Sequence, residues 1–239
     1  MGLFDVFKGG GGIKKHVARV ANKRAQQHER WESIQILAED GSDEALRALL
    51  TRFTIRVDPS ITDGEEKNAT FEGIVRHGDA ALEPVRDFLR AGETLAWPLK
   101  ILRAIQGEEE VTGALLDLLA EMDTGYERDP QKKIDAIASL EEVRDPRIVE
   151  AVDRFLEDMN ETARFHAVGA VLAQDDAAGA KDALNAAYLV EESVRVRMMI
   201  LDGFIAHEWK LEGDHEVLKK KLPTGYSLGK KGDVRKKGG

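Results

Sequence analysis

The chain has 239 residues, a net charge of −9, six prolines, three tryptophans and no cysteine. That length holds one large domain or two small ones, and a composition 42% hydrophobic and 33% charged suits a soluble protein with a real core. The lack of cysteine excludes disulfides, thiol nucleophiles and Cys-ligated metal sites, and no apolar run reaches the ~18–20 residues that cross a bilayer.

In chain order, Leu3, Phe4, Val6 and Phe7 form a small apolar cluster, too short for a signal-peptide core, so a cytoplasmic location is expected. The myristoylation pattern is not met, because Val6 stands where it wants Ser or Thr. The glycines at 9–12 read as a linker that closes a flexible segment over 1–12. One long helix is predicted over about 13–39, with Val17, Val20, Ala21, Trp31, Ile34 and Leu37 apolar and a basic first half of Lys14, Lys15, Arg19, Lys23 and Arg24. Asp43 then precedes a helix through Ala45, Leu46, Leu49 and Leu50. The alternation Phe53, Ile55, Val57 predicts a short extended piece at 52–57, and 58–64 reads as loop. Helices follow at about 65–76, 80–90, 95–106, 109–122, 131–142, 147–158, 162–173, 177–190, 192–208 and 214–221. Asp79, Asp145 and Asp176 sit where N-caps belong, and Gly78, Gly92 and Gly107 where helices stop. Residues 222–239 form a Gly/Lys-rich basic tail.

Charge is uneven along this series. Residues 1–30 and 210–239 each carry a net +5, which leaves the body between them at −19. Such a body is poorly suited to gripping a phosphate backbone along its length, and better suited to a basic partner or to solubility.

The helices repeat. Thr162-Ala163-Arg164-Phe165-His166-Ala167 and Ser193-Val194-Arg195-Val196-Arg197-Met198 stand 31 residues apart, and the same step back from Ala167 reaches Ala136. A step of about 35 more reaches Ile101. Each unit runs through a polar break, such as Asp145-Pro146, into a second amphipathic helix. An Arg-bearing first helix, an Asp-containing turn and a Leu-rich second helix resemble the HEAT repeat family, and Gly78-Asp79-Ala80-Ala81-Leu82-Glu83-Pro84 looks like a HEAT second helix with its early proline. Leu222-Pro223-Thr224-Gly225-Tyr226 and the basic tail are similar to the ends of a group of bacterial HEAT proteins.

The resemblance implies an all-α fold, a right-handed α-α superhelix of five to six helix pairs over 13–221. Each pair has too little core to fold alone, and stacking buries a continuous spine. Leu115, Leu118, Leu119, Ile137, Leu140, Val152, Phe155, Leu156, Val168, Val171, Leu172, Ile200, Leu201 and Phe204 are the expected core, with Trp31, Trp97 and Trp209 as large core or capping residues.

Motifs for chemistry are sparse. His28-Glu29 and His207-Glu208 resemble the iron-binding pairs of HEAT-like deoxyhypusine hydroxylases, but the repeats between them lack such pairs. The loop from Asp123 to Asp129 holds three carboxylates without the EF-hand spacing. No phosphate-binding glycine loop and no nucleophile elbow occur, so no metal, cofactor or catalytic residue is assigned. Unlike HEAT-like DNA glycosylases, the second helices offer carboxylates. Asp117 and Glu121 lie on one helix, and Glu150, Asp153, Arg154, Glu157 and Asp158 on the exposed side of the next. If second helices line the concave face, as the resemblance implies, these carboxylates form one acidic stripe. A non-enzymatic interaction scaffold for a basic protein partner is the expected function, the partner segment being foreign or the protein's own Lys-rich tail. A phycobilin-lyase-like enzyme or chromophore carrier is one rival. The other is an adaptor tethered to membrane or nucleic acid by its basic ends.

Overall fold

The computed structural model describes residues 12–174 and 179–237. The expectations for the apolar cluster, the glycine linker to residue 11 and the Asp176 cap lie outside the described residues. Those described form thirteen α-helices and one two-stranded antiparallel hairpin. The fold is mostly helical, and no described helix is long and apolar enough to cross a membrane. The chain divides into two compact units, 1–111 and 112–239.

In the first unit, α1 (Gly12–Val20), α3 (Asp43–Leu50) and α5 (Leu82–Ala91) form one row. Helices α2 (Gln27–Asp40), α4 (Ser60–Val75) and α6 (Ala96–Gln106) form a second row packed against it. The single helix expected over 13–39 is two. Asn22 closes a turn by accepting from the Arg24 backbone N–H at 2.9 Å, and Gln26 with Glu29 forms a capping box that starts α2 afresh. The expected extended piece at 52–57 is instead a 3-10 turn at Thr51–Thr54, where Thr51 and Thr54 donate their hydroxyls to the carbonyls three residues back. The loop expected through residue 64 ends early, and α4 starts at Ser60. Asp63 accounts for this, because its carboxylate accepts from the Val57 N–H, Arg52 and Lys67 and so fixes the first turn.

A cluster of buried charge sits within this unit's apolar interior. The Glu66 carboxylate, fully buried, accepts from Arg30 Nε and Nη2 at 3.0 and 2.9 Å and from Arg52 Nε at 2.8 Å. Arg30 also donates to the Ala25 carbonyl, and Arg52 to the Ile55 carbonyl at 3.2 Å. Burial raises the Asp63 carboxyl, but hydrogen bonds from Lys67 and Arg52 outweigh it and hold the group below its ordinary range.

Helix α7 (Glu108–Glu121) crosses the division between the units. In the second unit, α10 (Glu161–Leu172) packs between α8 (Gln131–Ser139) and α12 (Val194–Ala206). On their other side lie α9 (Ile148–Asp153), which runs into a 3-10 turn at Arg154–Glu157, and α11 (Ala180–Val190). Caps set the helix starts: Asn160 accepts from the N–H groups of Thr162 and Ala163, Ser193 from Val196, and Asp214 from Glu216 and Val217 ahead of α13 (His215–Lys221). Asp145 binds the Arg147 N–H just ahead of α9.

The expected core residues are buried, apart from Leu172, which is half-buried. Trp97 is half-buried and stacks on Phe53 at 4.6 Å, and Trp209 is half-buried with its ring edge-on to Phe204. Trp31 is 41% exposed and belongs to no core.

The tail is also not what its composition predicts. Strands β1 (Tyr226–Leu228) and β2 (Val234–Lys236) pair antiparallel, with Tyr226 opposite Lys236. Tyr226 and Val234 are buried, and β2 contacts α12. The Leu211 N–H donates to the Gly232 carbonyl, where φ is 86° and an added Cβ would lie 2.2 Å from the Leu211 carbonyl oxygen. Only glycine fits that crossing.

Candidate functional site

The carboxylates singled out in the sequence all belong to the second unit, and the structure separates them into three groups. Glu150, Asp153 and Glu157 are exposed on α9 and its 3-10 extension, as is the Arg154 between them. Asp117 and Glu121 are exposed on α7, and Glu121 lies within electrostatic reach of Lys132, opposing the burial that lowers that ammonium's pKa.

Asp158 is the correction. It is 1% exposed, and its Oδ2 sits 2.7 Å from Lys133 Nζ, an ammonium that is itself buried. The reason is local. The 3-10 turn ends at Glu157, and Asp158 leaves it with φ −58° and ψ 145°, which swings its side chain inward. Its Oδ1 accepts from the Asn160 N–H, and its carbonyl accepts from Arg164. Lys133 donates as well to the Asp123 carbonyl at 2.8 Å and Glu127 Oε1 at 3.2 Å, so a lysine ammonium occupies the loop whose acidity suggested a cation site. Among the described residues no group of three or more His, Asp or Glu side chains is arranged to hold a metal ion.

Asp153 and Glu157 are brought together with residues the sequence did not single out. They line a cleft of about 430 Å³ whose other walls are Thr124, Arg154, Leu156, Ala183, Ala186 and Ala187. Position 124 is held by its neighbours, since the Met159 N–H donates to the Thr124 carbonyl at 3.0 Å. Neither Asp153 nor Glu157 closes an ion pair with another described residue, so both keep their full acceptor capacity. Helix α11 contributes Ala183, Ala186 and Ala187 to this lining. The same face of α11 continues one turn on to Val190, at the helical spacing 183, 187, 190.

Three large apolar side chains left in water lie close in sequence to residues of this cleft. Tyr126 is 80% exposed, Met159 67% and Val190 58%. The first lies two residues from Thr124 and the second two from Glu157, on loops joined by the 3.0 Å hydrogen bond just described. The signals for this arrangement were present in the sequence, in the alanine run before Val190 and in bulky residues at Tyr126 and Met159. What the sequence lacked was the pairing of those loops.

The tail does not lie on this acidic surface. Tyr226 donates its hydroxyl to Asp202 Oδ1 at 2.7 Å, and Lys236 Nζ pairs with the same carboxylate at 2.9 Å. Burial first, and then Asp202, push the Tyr226 phenol well above its ordinary range. Scanned against protein families and against curated proteins, the sequence finds no match in either.

Proposed function

We propose that the protein is a non-enzymatic, HEAT-type interaction scaffold whose second unit takes a basic, partly apolar peptide segment in the cleft between α9 and α11. The observation that carries this reading is the placement of two unspent carboxylates, Asp153 and Glu157, in one cleft with the alanines of α11. A lysine or arginine of the partner lays its aliphatic stem on Ala183, Ala186 and Ala187 and sets its charged head between the carboxylates. A bulky neighbour on the same segment covers Tyr126, Met159 and Val190, surface that otherwise stays in contact with water. The rows of stacked helices within each unit support the right-handed superhelix that the HEAT resemblance implies, with rigidity coming from stacking. The resemblance at 222–226 favours a bacterial setting.

A short amphipathic Lys/Leu peptide titrated onto the full chain tests the reading. The expected result is binding that weakens steeply with salt and falls at least about tenfold in D153K/E157K, because like charge across an interface is repulsive. Both side chains are exposed, so the double reversal shifts stability by no more than about 0.5 kcal/mol per site. Affinity unchanged by both the salt and the reversal overturns the reading.

A further inference from the structure

The cleft between α9 and α11 carries a third charge besides its two carboxylates. Arg154 lines it together with Asp153 and Glu157, and is the one cation among the described residues that do. The backbone puts it there. In an α-helix, residues 154 and 157 would stand about 60° apart around the axis. The chain instead tightens into the 3-10 turn Arg154–Glu157, in which residues three apart eclipse. Arg154 and Glu157 are thereby turned to one side and reach the same cleft.

The guanidinium is held there without being paired. Its carbon lies 5.0 Å from the centre of the Phe155 ring, which is fully buried, so the cation is drawn to a fixed point of the fold. Arg154 is itself exposed. It closes no ion pair with any described residue, although carboxylates stand one residue before it and three after. Elsewhere in this unit arginines do close such pairs, as Arg147 does with Asp145 and Arg164 with Glu191. The planar fork of Arg154 keeps its N–H donors for a carboxylate from outside.

In chain order the cleft offers negative, positive, negative. A uniformly basic segment satisfies the two carboxylates but sets a like charge against the guanidinium, which is repulsive. A segment with an acid between its bases meets all three charges. A chain-terminal carboxylate has residues on one side only, so the match is an acidic side chain flanked by basic ones.

We propose that Arg154 is the specificity-determining residue of this cleft and selects a partner segment in which a glutamate or aspartate stands between basic residues. The proposal rests on the peptide reading above and names the partner more closely. Two Lys/Leu peptides titrated onto the full chain test it, identical except for a Lys-Glu-Lys or a Lys-Gln-Lys centre. Net charge alone favours the glutamine peptide, which is the more basic ligand for an acidic body. Arg154 reverses that order, and the glutamate peptide is expected to bind about two- to fivefold more tightly, the worth of an exposed ion pair. In Arg154→Gln the glutamine peptide becomes the tighter one, with circular dichroism unchanged because the side chain is exposed. Binding of both peptides with the glutamine form equal or tighter on the wild type overturns the role of Arg154 and leaves the peptide site standing. A preference for glutamate that persists in Arg154→Gln overturns it as well, since another group then reads the acid. Binding of neither peptide removes the site itself, and the role of Arg154 with it.

Discussion

The two units bury charge in different ways, and the difference says which of them tolerates the loss of an ion. The first concentrates it. Arg30 and Arg52 converge on one buried carboxylate, Glu66, which the hydrogen bonds described above supply from arginine side chains alone. The second distributes it, with one pair at each of two breaks between helices, before α10 and before α12. Lys133 meets Asp158, and Arg164 meets Glu191 at 2.8 and 3.0 Å. Glu191 also accepts from the N–H groups of Glu192 and Ser193, at 2.9 and 2.7 Å. A carboxylate held partly by backbone survives the departure of its cation, whereas the departure of Glu66 leaves Arg30 with only the Ala25 carbonyl and Arg52 with Asp63 and the Ile55 carbonyl.

Removing the centre of each arrangement tests that contrast. Glu66→Ala leaves the buried Arg30 guanidinium without its carboxylate and Arg52 with Asp63 alone, and is expected to cost about 3–5 kcal/mol. Arg164→Ala leaves Glu191 with two backbone donors and is expected to cost less, about 1–3 kcal/mol. Urea unfolding of the two variants gives the ranking. Equal losses would show that the backbone donors contribute nothing to Glu191 and would break the comparison.

Helix approach differs in the same sense. In the first unit a Cβ added to Gly73 of α4 would meet Ala38 Cβ of α2 at 2.7 Å, and alanine has no torsion with which to yield. In the second, a Cβ on Gly203 of α12 would meet the far end of Leu172 at 2.2 Å. Leu172 is half-buried, so its terminal methyls have room to rotate away. Gly73→Ala is therefore expected to destabilise by about 1–3 kcal/mol, as overpacking does, and Gly203→Ala by less. Thermal melts that reverse this order would show that α2 and α4 separate more readily than the leucine turns.

How much of this was legible in sequence depended on whether the signal was periodic. The helical core was readable because Ile137, Val152, Val168, Ile200 and Phe204 recur with a helical period, and all are buried. Charge pairing was not, because Arg30, Arg52 and Glu66 are far apart in the chain and carry no local signature. The same blindness placed Asp158 on an exposed stripe, since helical spacing was extended one residue past the point where the helix ends. At the tail, composition misled. Lysines and glycines suggested a basic tail without secondary structure of its own, yet Tyr226 and Val234 are buried and anchor a hairpin. Of the proposed cleft, the carboxylates Asp153 and Glu157 were found, while the α11 alanines that line it with them required the folded loops.

The smallest expected effect concerns acid and again separates the units, because the buried imidazole of His16 belongs to the first. Its Nδ1 lies 3.0 Å from Ser33 Oγ. The single Ser33 hydroxyl proton is donated to the Glu29 carbonyl at 2.8 Å, so the serine oxygen can only accept and Nδ1 must carry the ring proton. A second proton would have to enter at Nε2. Burial opposes it most, Arg19 and Lys15 add repulsion, and Glu32 partly compensates, so the pKa lies below the ordinary 6.5. A group that is harder to protonate when folded supports the fold above its unfolded pKa, and that support is lost as pH falls from 6.5 toward the lower folded value. The stability of the wild type should therefore decline through this window more than that of His16→Leu, whose Ser33 retains the Glu29 carbonyl. Proton NMR of the ring gives the direct check. A His16 resonance that titrates at or above 6.5 would mean that the imidazole is charged in place and that α1 owes nothing to its neutrality.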